Sequence, residues 1–221
     1  MIVRPPEDIA LKCAELFLDM NVVEIAKGDD LFTFTSGIKS PVYVDAHRPI
    51  SFVYERNIML GHAEALLDKL EFDYLAGGET AGIPYAAFLA ERFKKPMLYV
   101  RKKPKGFGRM AQIEGIFETE AKVILIEDLT TDGGSKIKFC DALRGAGAKV
   151  TDIFSLFYYD SFDYAEKDLS DAGVKLHYLT SWDYILKVAE QRGDINPQKI
   201  SDIKEFLNDP QTWQKKLSAT K

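Results

Sequence analysis

Two adjacent acids, three hydroxyl residues and a pair of glycines follow one hydrophobic run, in the segment VILIEDLTTDGGS at residues 123–135. The run predicts a buried strand that ends at the acids Glu127 and Asp128. In open α/β sheets, ligands bind beyond the carboxyl ends of the strands. Hydroxyls and bare backbone amides ahead of a helix can surround a phosphate, while the carboxylates accept hydrogen bonds from vicinal sugar hydroxyls. The segment therefore predicts a ribose 5-phosphate site; the alternative is a strand followed by a polar turn and a capped helix.

A second chemical signal is the basic segment RKKPKGFGR at residues 101–109, which carries five basic side chains. A leaving group such as pyrophosphate carries several negative charges, so its departure requires cations aimed at it. Gly106 and Gly108 allow the segment to fold over a bound ligand and exclude water. Standing alone, the segment would indicate only a solvated basic loop.

These segments must be positioned by an alternation of strands and helices. An amphipathic helix is predicted after Pro5 and Pro6, and alternating apolar residues around Ser36 and Gly37 predict a hairpin. The repeated strand–helix units indicate an α/β fold with a mostly parallel central sheet flanked by helices. Strands are predicted near residues 74–76, 97–100, 123–126, 150–158 and 176–179, and helices over 56–70, 83–93, 135–143 and 164–172.

The length of 221 residues suits one domain over 1–221. We expect an N-terminal helix and hood over about 1–55 and a polar helical tail over about 187–221, with Trp213 as the large anchor of the tail. With 46% hydrophobic and 29% charged residues, the composition is that of a soluble globular protein. The chain has no run of membrane-spanning length and no signal-peptide core, so we expect a cytoplasmic protein with no membrane partner.

Charge, cysteines and histidines narrow the classes of function further. A formal net charge of −5 argues against binding nucleic acid over a broad basic face. Cys13 and Cys140 are isolated and fall in helix-like stretches, which is typical of core thiols in a reduced compartment. His47, His62 and His177 show no metal-ligand spacing, so a zinc site is not expected.

Four segments within about residues 30–180 resemble those of one enzyme family, and they occur in its order and spacing. VILIEDLTTDGGS is similar to the phosphoribosyl-pyrophosphate motif of the type I phosphoribosyltransferases. FTFTSGIKSPVYVD resembles the hood segment, LAGGETAGIP the pyrophosphate-side loop and RKKPKGFG the mobile catalytic loop of the orotate phosphoribosyltransferases. The resemblance implies the type I phosphoribosyltransferase fold with a small N-terminal hood. It also implies transfer of ribose 5-phosphate from 5-phosphoribosyl 1-pyrophosphate to orotate, which gives orotidine 5′-monophosphate and pyrophosphate in pyrimidine (UMP) biosynthesis.

The resemblance also implies roles for individual residues. Tyr43 and Val44 would lie next to the pyrimidine ring, and Thr131 would touch orotate. The expected catalytic residues are Arg101, Lys102, Lys105 and Asp128. The expected contacts to phosphoribosyl pyrophosphate are Arg101, Lys102, Lys103, Lys105, Glu127, Asp128, Leu129, Thr130, Thr131, Asp132, Gly133, Gly134 and Ser135.

The chain departs from the family pattern where other members carry a cation. Thr35 and Ala81 stand where many members have a lysine, Phe107 where they have a histidine, and Ser161 where they have an arginine facing the orotate carboxylate. Arg109 stands where an acid is common. Lys39, Lys103 or Arg109 are candidates to compensate, which would make Lys39 an orotate-binding residue. Lys39 could equally serve only to close the hairpin turn.

The resemblance further implies Mg²⁺ held mainly through the substrate, without direct protein ligands. It implies a homodimer in which the loop 101–109 acts in trans, and catalysis by positioning and charge stabilisation without a covalent nucleophile. Two alternatives remain: a phosphoribosyltransferase for another nucleobase, and a non-catalytic regulator that senses phosphoribosyl pyrophosphate. The retained cations Arg101, Lys102 and Lys105, together with the negative net charge, argue against the regulator.

Overall fold

The protein is described by a computed structural model over residues 1–26, 30–33, 37–106, 112–161 and 163–219. Thr35, Ser36, Phe107, Gly108 and Arg109, which figure in the sequence analysis, lie outside these described residues. The strands are β1 (Ile2–Val3), β2 (Val23–Ile25), β3 (Phe32–Thr33), β4 (Lys39–Ser40), β5 (Val42–Val44), β6 (Tyr74–Gly78), β7 (Met97–Val100), β8 (Ile113–Glu114), β9 (Lys122–Thr130), β10 (Lys149–Tyr158) and β11 (Lys175–Ser181). The helices are α1 (Glu7–Asp19), α2 (Val53–Leu67), α3 (Gly82–Phe93), α4 (Gly134–Gly145), α5 (Asp163–Asp171), α6 (Trp182–Arg192), α7 (Pro197–Asn208) and α8 (Pro210–Ala219).

The central sheet has seven strands in the order β1-β11-β10-β9-β6-β7-β8. Every neighbouring pair is parallel except β7 and β8, which run antiparallel at one edge. The prediction of an α/β fold with a mostly parallel sheet flanked by helices is confirmed.

Both faces of the sheet are covered, as the continuous apolar runs of its strands require. Because successive side chains of a strand point to opposite faces, β9 contributes to two separate cores. Ile124 and Ile126 pack in the core that includes residues of α1, α3 and α6. Val123 and Leu125 pack in the other core, with residues of α4 and α5. Glu127 continues the alternation toward α4, and Asp128 continues it toward the opposite face.

Strand β9 runs further than its sequence suggests. The apolar run predicts a strand that stops at the acids, but β9 continues through them to Thr130. The reason is that β9 has a partner on only one side beyond Ile126. Its pairing with β6 ends at Ile126, whereas its pairing with β10 continues, with Glu127 opposite Ser155 and Thr130 opposite Tyr158. The two acids therefore lie on a strand held from one side only, which leaves the other side open to a ligand.

Two small antiparallel sheets form the N-terminal region that precedes α2. Strand β2 pairs with β5, and β3 pairs with β4. The β3–β4 pair, in which Thr33 opposes Lys39, confirms the antiparallel pairing predicted around Gly37.

The C-terminal helices are attached through several apolar side chains. Lys187, where the sequence analysis places the beginning of the tail, lies inside α6. Trp213 is one of several anchors, because Phe206 of α7 is also buried and packs edge-on against the Trp213 ring at 5.3 Å. The backbone amide of Lys39 donates to the Gln214 side chain at 3.1 Å, so α8 contacts the β3–β4 hairpin. None of the described helices has the length and apolar character needed to cross a membrane.

Candidate active site

Two cavities, of about 560 Å³ and about 510 Å³, meet at the carboxyl end of β9. Asp128, Lys136 and His47 line both of them. The first cavity is lined in addition by Glu79, Thr80, Ala81, Lys102, Gln112, Glu127, Ser135, Lys138 and Phe139. The second is lined in addition by Thr33, Ile38, Tyr43, Val44, Ala46, Leu129, Thr131, Asp132, Tyr159 and Tyr164.

Glu127 is a buried carboxyl group with 4% of its surface exposed. Its Oε2 lies 3.8 Å from the Lys136 Nζ, and its Oε1 has no hydrogen-bond partner among the described residues. Burial raises the pKa of Glu127 to about 7; the nearby charge of Asp128 adds to the rise, and the Lys136 ammonium opposes it. An unpaired buried carboxyl oxygen is costly in its ionised form, and because Oε1 is packed against Gly78, a ligand reaches Glu127 only through the part of the side chain that lines the first cavity.

Two glycines make room for Glu127 at the end of β6. A Cβ atom on Gly78 would lie 1.9 Å from Glu127 Oε1. A Cβ on Gly82, at the start of α3, would lie 2.3 Å from the carbonyl oxygen of Ile126. The segment LAGGETAGIP therefore has to carry glycine at these two positions for close packing against β9.

Asp128 reaches toward the N-terminal region. Its Oδ2 lies 3.5 Å from the Nδ1 of His47, a side chain that is 69% exposed. From the sequence, His47 was assessed only as a possible metal ligand, and its place at this site was not predicted. No local pattern could have revealed it, since the contact joins residues 81 positions apart.

The turn between β9 and α4 divides its side chains between the two cavities. Thr131 and Asp132 line the second cavity, and Ser135 lines the first. Gly133 adopts φ = +82° immediately before α4, and the Gly134 amide donates to Asp132 Oδ1 at 3.0 Å. Thr130 differs from the expectation, because its hydroxyl is fully buried and lies 2.6 Å from Ser155 Oγ of β10.

The basic segment is held at its base. The Lys102 amide donates to Glu79 Oε2 at 2.6 Å. Arg101 and Gln112 are joined by two hydrogen bonds of 2.8 Å.

The cations of that segment are divided between two places. Lys102 lines the first cavity. Arg101 Nη1 and Lys105 Nζ lie 3.6 Å and 4.0 Å from Glu114 Oε1 of β8, so they meet this acid instead of lining either cavity. The exposed Lys103 lines neither.

The hood side of the second cavity is aromatic. Tyr43 stacks on Phe32 at 5.6 Å between ring centroids, and it lines the cavity together with Val44. Lys39 lines neither cavity; its Nζ donates to Thr33 Oγ1 at 2.6 Å, and Thr33 does line the second cavity.

The expected departures at Ala81 and Ser161 are visible in the described part of the chain. Ala81 lines the first cavity, so no side-chain cation stands there. Ser161 is buried, and its hydroxyl has no hydrogen-bond partner among the described residues. Lys136 and Lys138 bring the positive charge that the sequence analysis missed. A lysine in the first turn of a helix opposes the helix dipole, and that is the signal that singles out Lys136.

The site as a whole combines a cationic cavity, a pair of acids and an aromatic cavity. Such an arrangement can hold a sugar phosphate between the acids and the turn before α4. A charged leaving group would then meet Lys102, and a planar acceptor would meet Tyr43.

Comparison with known proteins gives concordant relatives. The orotate phosphoribosyltransferase of Ruegeria sp. (strain TM1040) is 43% identical over 212 residues, which cover 94% of this chain and 93% of that protein. The orotate phosphoribosyltransferase of Agrobacterium fabrum is 49% identical over 189 residues, covering 84% and 82%. No family model matches the chain.

Solved structures share the fold. The orotate phosphoribosyltransferase of Aeropyrum pernix superposes with a TM-score of 0.68 at 27% identity, covering 83% of this chain and 99% of that one. The UMP synthase of Leishmania donovani superposes with a TM-score of 0.77 at 25% identity, covering 89% of this chain and 42% of that one. A Mycobacterium tuberculosis orotate phosphoribosyltransferase, solved in complex with 5-phospho-α-D-ribosyl 1-diphosphate, shares the fold at 19% identity and a TM-score of 0.63, covering 81% and 99%.

Proposed function

The chain belongs to the orotate phosphoribosyltransferase family, and we propose from this that it transfers ribose 5-phosphate from 5-phosphoribosyl 1-pyrophosphate to orotate. The products are orotidine 5′-monophosphate and pyrophosphate, an intermediate and a by-product of pyrimidine biosynthesis. The observation that carries the proposal is the position of Asp128, whose carboxylate lines both cavities and so stands between donor and acceptor.

The reaction is a displacement at the anomeric carbon of the ribose. A ring nitrogen of orotate forms the new bond to this carbon as the bond to pyrophosphate breaks, through an oxocarbenium-like transition state. Glu127 and Asp128 accept hydrogen bonds from the ribose hydroxyls and stabilise the developing positive charge. The segment from Leu129 to Ser135, which joins the end of β9 to the first turn of α4, holds the 5-phosphate, and no side chain acts as a covalent nucleophile.

The leaving pyrophosphate meets cations in the first cavity. We assign this role to Lys102 and to the loop 101–109, with Arg101, Lys103 and Lys105 released from their present surroundings when the loop closes. We also propose that the loop acts in trans within a homodimer. The position of Arg101 and Lys105 beside Glu114, outside both cavities, supports a loop that has to move before it acts.

Mg²⁺ fits the chemistry of the first cavity. The described residues include no cluster of three or more side chains placed to ligate a metal. Mg²⁺ usually keeps several waters and binds largely through substrate phosphates, so the ion would be held mainly by the bound substrate. The carboxylates of Glu79, Glu127 and Asp128 line this cavity, and none of them is proposed as a direct ligand of the metal. The ion would neutralise part of the pyrophosphate charge, while these acids orient the metal-bound substrate.

Orotate would occupy the second cavity. Tyr43 and Val44 would contact the pyrimidine ring, and Thr131 would hydrogen-bond to it. Lys39, held on Thr33 at the rim, is proposed to approach the orotate carboxylate. We further propose that residues 1–221 act as one cytoplasmic domain, with the hood over about 1–55 and the tail over about 187–221; its buried, unpaired cysteines Cys13 and Cys140 suit a reducing compartment.

The test is the loss of orotate ultraviolet absorbance with phosphoribosyl pyrophosphate and Mg²⁺. We expect loss with the wild type and at least a hundredfold slower loss with Lys105→Ala. If adenine or uracil is consumed in place of orotate, that base is the acceptor. If no base is consumed although phosphoribosyl pyrophosphate binds, the protein is a regulator that senses phosphoribosyl pyrophosphate.

A further inference from the structure

Lys136 occupies an unusual place for a lysine. It is the third residue of α4, its side chain is only 13% exposed, and it lines both cavities. A cation in the first turn of a helix is disfavoured by the helix dipole, and burial of an ammonium group adds a desolvation cost. Two unfavourable terms at one position require a compensating anion.

The anion nearest to Lys136 is Glu127. Nζ and Oε2 are 3.8 Å apart, and both side chains are nearly buried. Glu127 is in turn fixed from behind, because Gly78 leaves no space between β6 and its Oε1. This oxygen has no hydrogen-bond partner among the described residues and belongs to a group that lines the first cavity. Lys136 therefore contacts Oε2, while Oε1 is fully buried against Gly78, so the two contacts together fix the carboxyl group at the edge of the first cavity.

Other titratable groups share the surroundings of Glu127, but Lys136 is the cation paired with it among the described residues. Asp128, its neighbour on β9, disfavours a second negative charge. Cys140, one turn further along α4, has a pKa raised to about 12 by burial and stays neutral. Lys138 of α4 also lines the first cavity, together with Glu79, Lys102 and His47 from other elements, and His47 pairs with Asp128.

We infer that Lys136 is a positioning residue, whose ammonium group holds the Glu127 carboxyl group in place so that Glu127 can accept hydrogen bonds from the hydroxyls of the bound ribose. The inference rests on the proposed function only for the identity of the ligand as a ribose phosphate. Lys136 acts through Glu127 and leaves the reacting atoms to other residues. Removing the Lys136 ammonium group should therefore raise the pH above which Glu127 is ionised. Once Glu127 is ionised, the affinity for ribose 5-phosphate should equal that of the wild type.

The experiment measures binding of ribose 5-phosphate by calorimetry between pH 5.5 and 9, without orotate or turnover. In Lys136→Met the loss of the positive charge raises the pKa of Glu127, so the binding transition should move to higher pH by about one unit. At pH 7 the affinity should fall about fivefold to tenfold, and at pH 9 the difference should largely vanish. Lys136→Arg, which retains the charge, should stay within about twofold of the wild type.

Glu127→Gln is the reference variant, because any pH dependence of binding that remains in it does not come from Glu127. Titration of the phosphate of ribose 5-phosphate is one such source. The double variant Glu127→Gln/Lys136→Met should bind like Glu127→Gln alone, within about twofold. Lys149→Gln removes an exposed lysine paired with Glu120 and should leave the binding transition unmoved.

Two outcomes would overturn the inference. A loss of affinity in Lys136→Met that is equal at all pH values and persists in the Glu127→Gln background would mean that Lys136 binds the phosphate directly. A binding transition at the wild-type pH would mean that it has no influence on Glu127. If Lys136→Met does not fold, Lys136→Gln replaces it, and its binding transition should move to higher pH by the same amount. A carbon-13 NMR titration of the Glu127 carboxyl group in Lys136→Arg should show no change in pKa from the wild type. Ribose 5-phosphate binding is independent of orotate turnover, so failure of the proposed function would be recognised separately.

Discussion

The backbone amide of Lys102 donates a hydrogen bond to the Glu79 carboxylate at 2.6 Å, which joins the basic segment to the loop after β6. Glu79 is itself fixed, because its amide donates to the carbonyl of Val100 at the end of β7. One side chain thus sets where the basic segment leaves the sheet. Since both Glu79 and Lys102 line the first cavity, the same contact sets the distance of Lys102 from the ligand.

Glu79→Ala removes the acceptor and should release the start of the basic segment. Hydrogen bonds to charged groups contribute about 1.5–3 kcal/mol, so we expect the KM for phosphoribosyl pyrophosphate to rise about tenfold or more. Glu79→Gln retains an acceptor oxygen and should have a smaller effect. The measurement is steady-state kinetics with orotate at saturation; equal kinetics for wild type and Glu79→Ala would contradict this role.

The raised pKa of Glu127 predicts a pH-dependent stability. With a folded-state pKa of about 7 and a lower value in the unfolded chain, the folded state binds more protons between about pH 4.5 and 7. Stability attributable to this group is therefore lost as the pH rises through that window. Relative to wild type, Glu127→Gln should gain about 2–3 kcal/mol in free energy of unfolding between pH 5 and pH 8.

Urea unfolding at the two pH values measures this difference. The matched control is Glu91→Gln, an exposed acid whose pKa is lowered by its hydrogen bond with Lys94. Glu91 contributes to the pH dependence of stability only below this pH range. The difference in free energy of unfolding between Glu91→Gln and wild type should therefore stay constant from pH 5 to pH 8. A constant difference for Glu127→Gln as well would contradict the raised pKa.

Five of the seven strands of the central sheet were predictable because they are apolar runs buried between helices. The edge strands β1 and β8 were not predicted, because two residues are too few to show a pattern. The end of β9 was not predictable, since it depends on β10 continuing to pair after β6 has stopped, and this information lies in another part of the chain. The same limit applies to the tail, where Phe206 is an anchor only because α7 folds back onto the core.

The candidate site was predictable where its residues follow one another in the sequence, as in the segment from Glu127 to Ser135. His47 and Glu79 were missed because they reach the site from other elements. The buried position of the Thr130 hydroxyl was not predictable, because a hydroxyl in a turn and a hydroxyl on a strand look alike in sequence. Only the pairing of Tyr158 with Thr130 turns this side chain toward Ser155.

The two cysteines should be inert in the folded protein. Burial raises the pKa of Cys13 and of Cys140 to about 12, so essentially no thiolate is present at pH 8. We expect negligible reaction with a disulfide reagent such as dithionitrobenzoate in buffer. In 6 M guanidinium chloride both thiols should react within minutes. Rapid stoichiometric reaction of the native protein would show that one of these helices opens readily.

Complementation between inactive variants tests whether the loop acts in trans. In the proposed homodimer, Lys105→Ala should impair the loop and Asp128→Asn should impair the acids, so each variant alone should be nearly inactive. In a mixed dimer, one site combines the intact loop of one subunit with the intact acids of the other. An equal mixture of co-expressed chains should thus recover about one quarter of wild-type activity, since about half of the dimers are mixed and half of their sites are intact. The control pairs Lys105→Ala with Lys102→Ala, where every site receives a defective loop and no recovery is expected. If the Lys105→Ala and Asp128→Asn mixture recovers no more than this control does, the loop works within its own subunit.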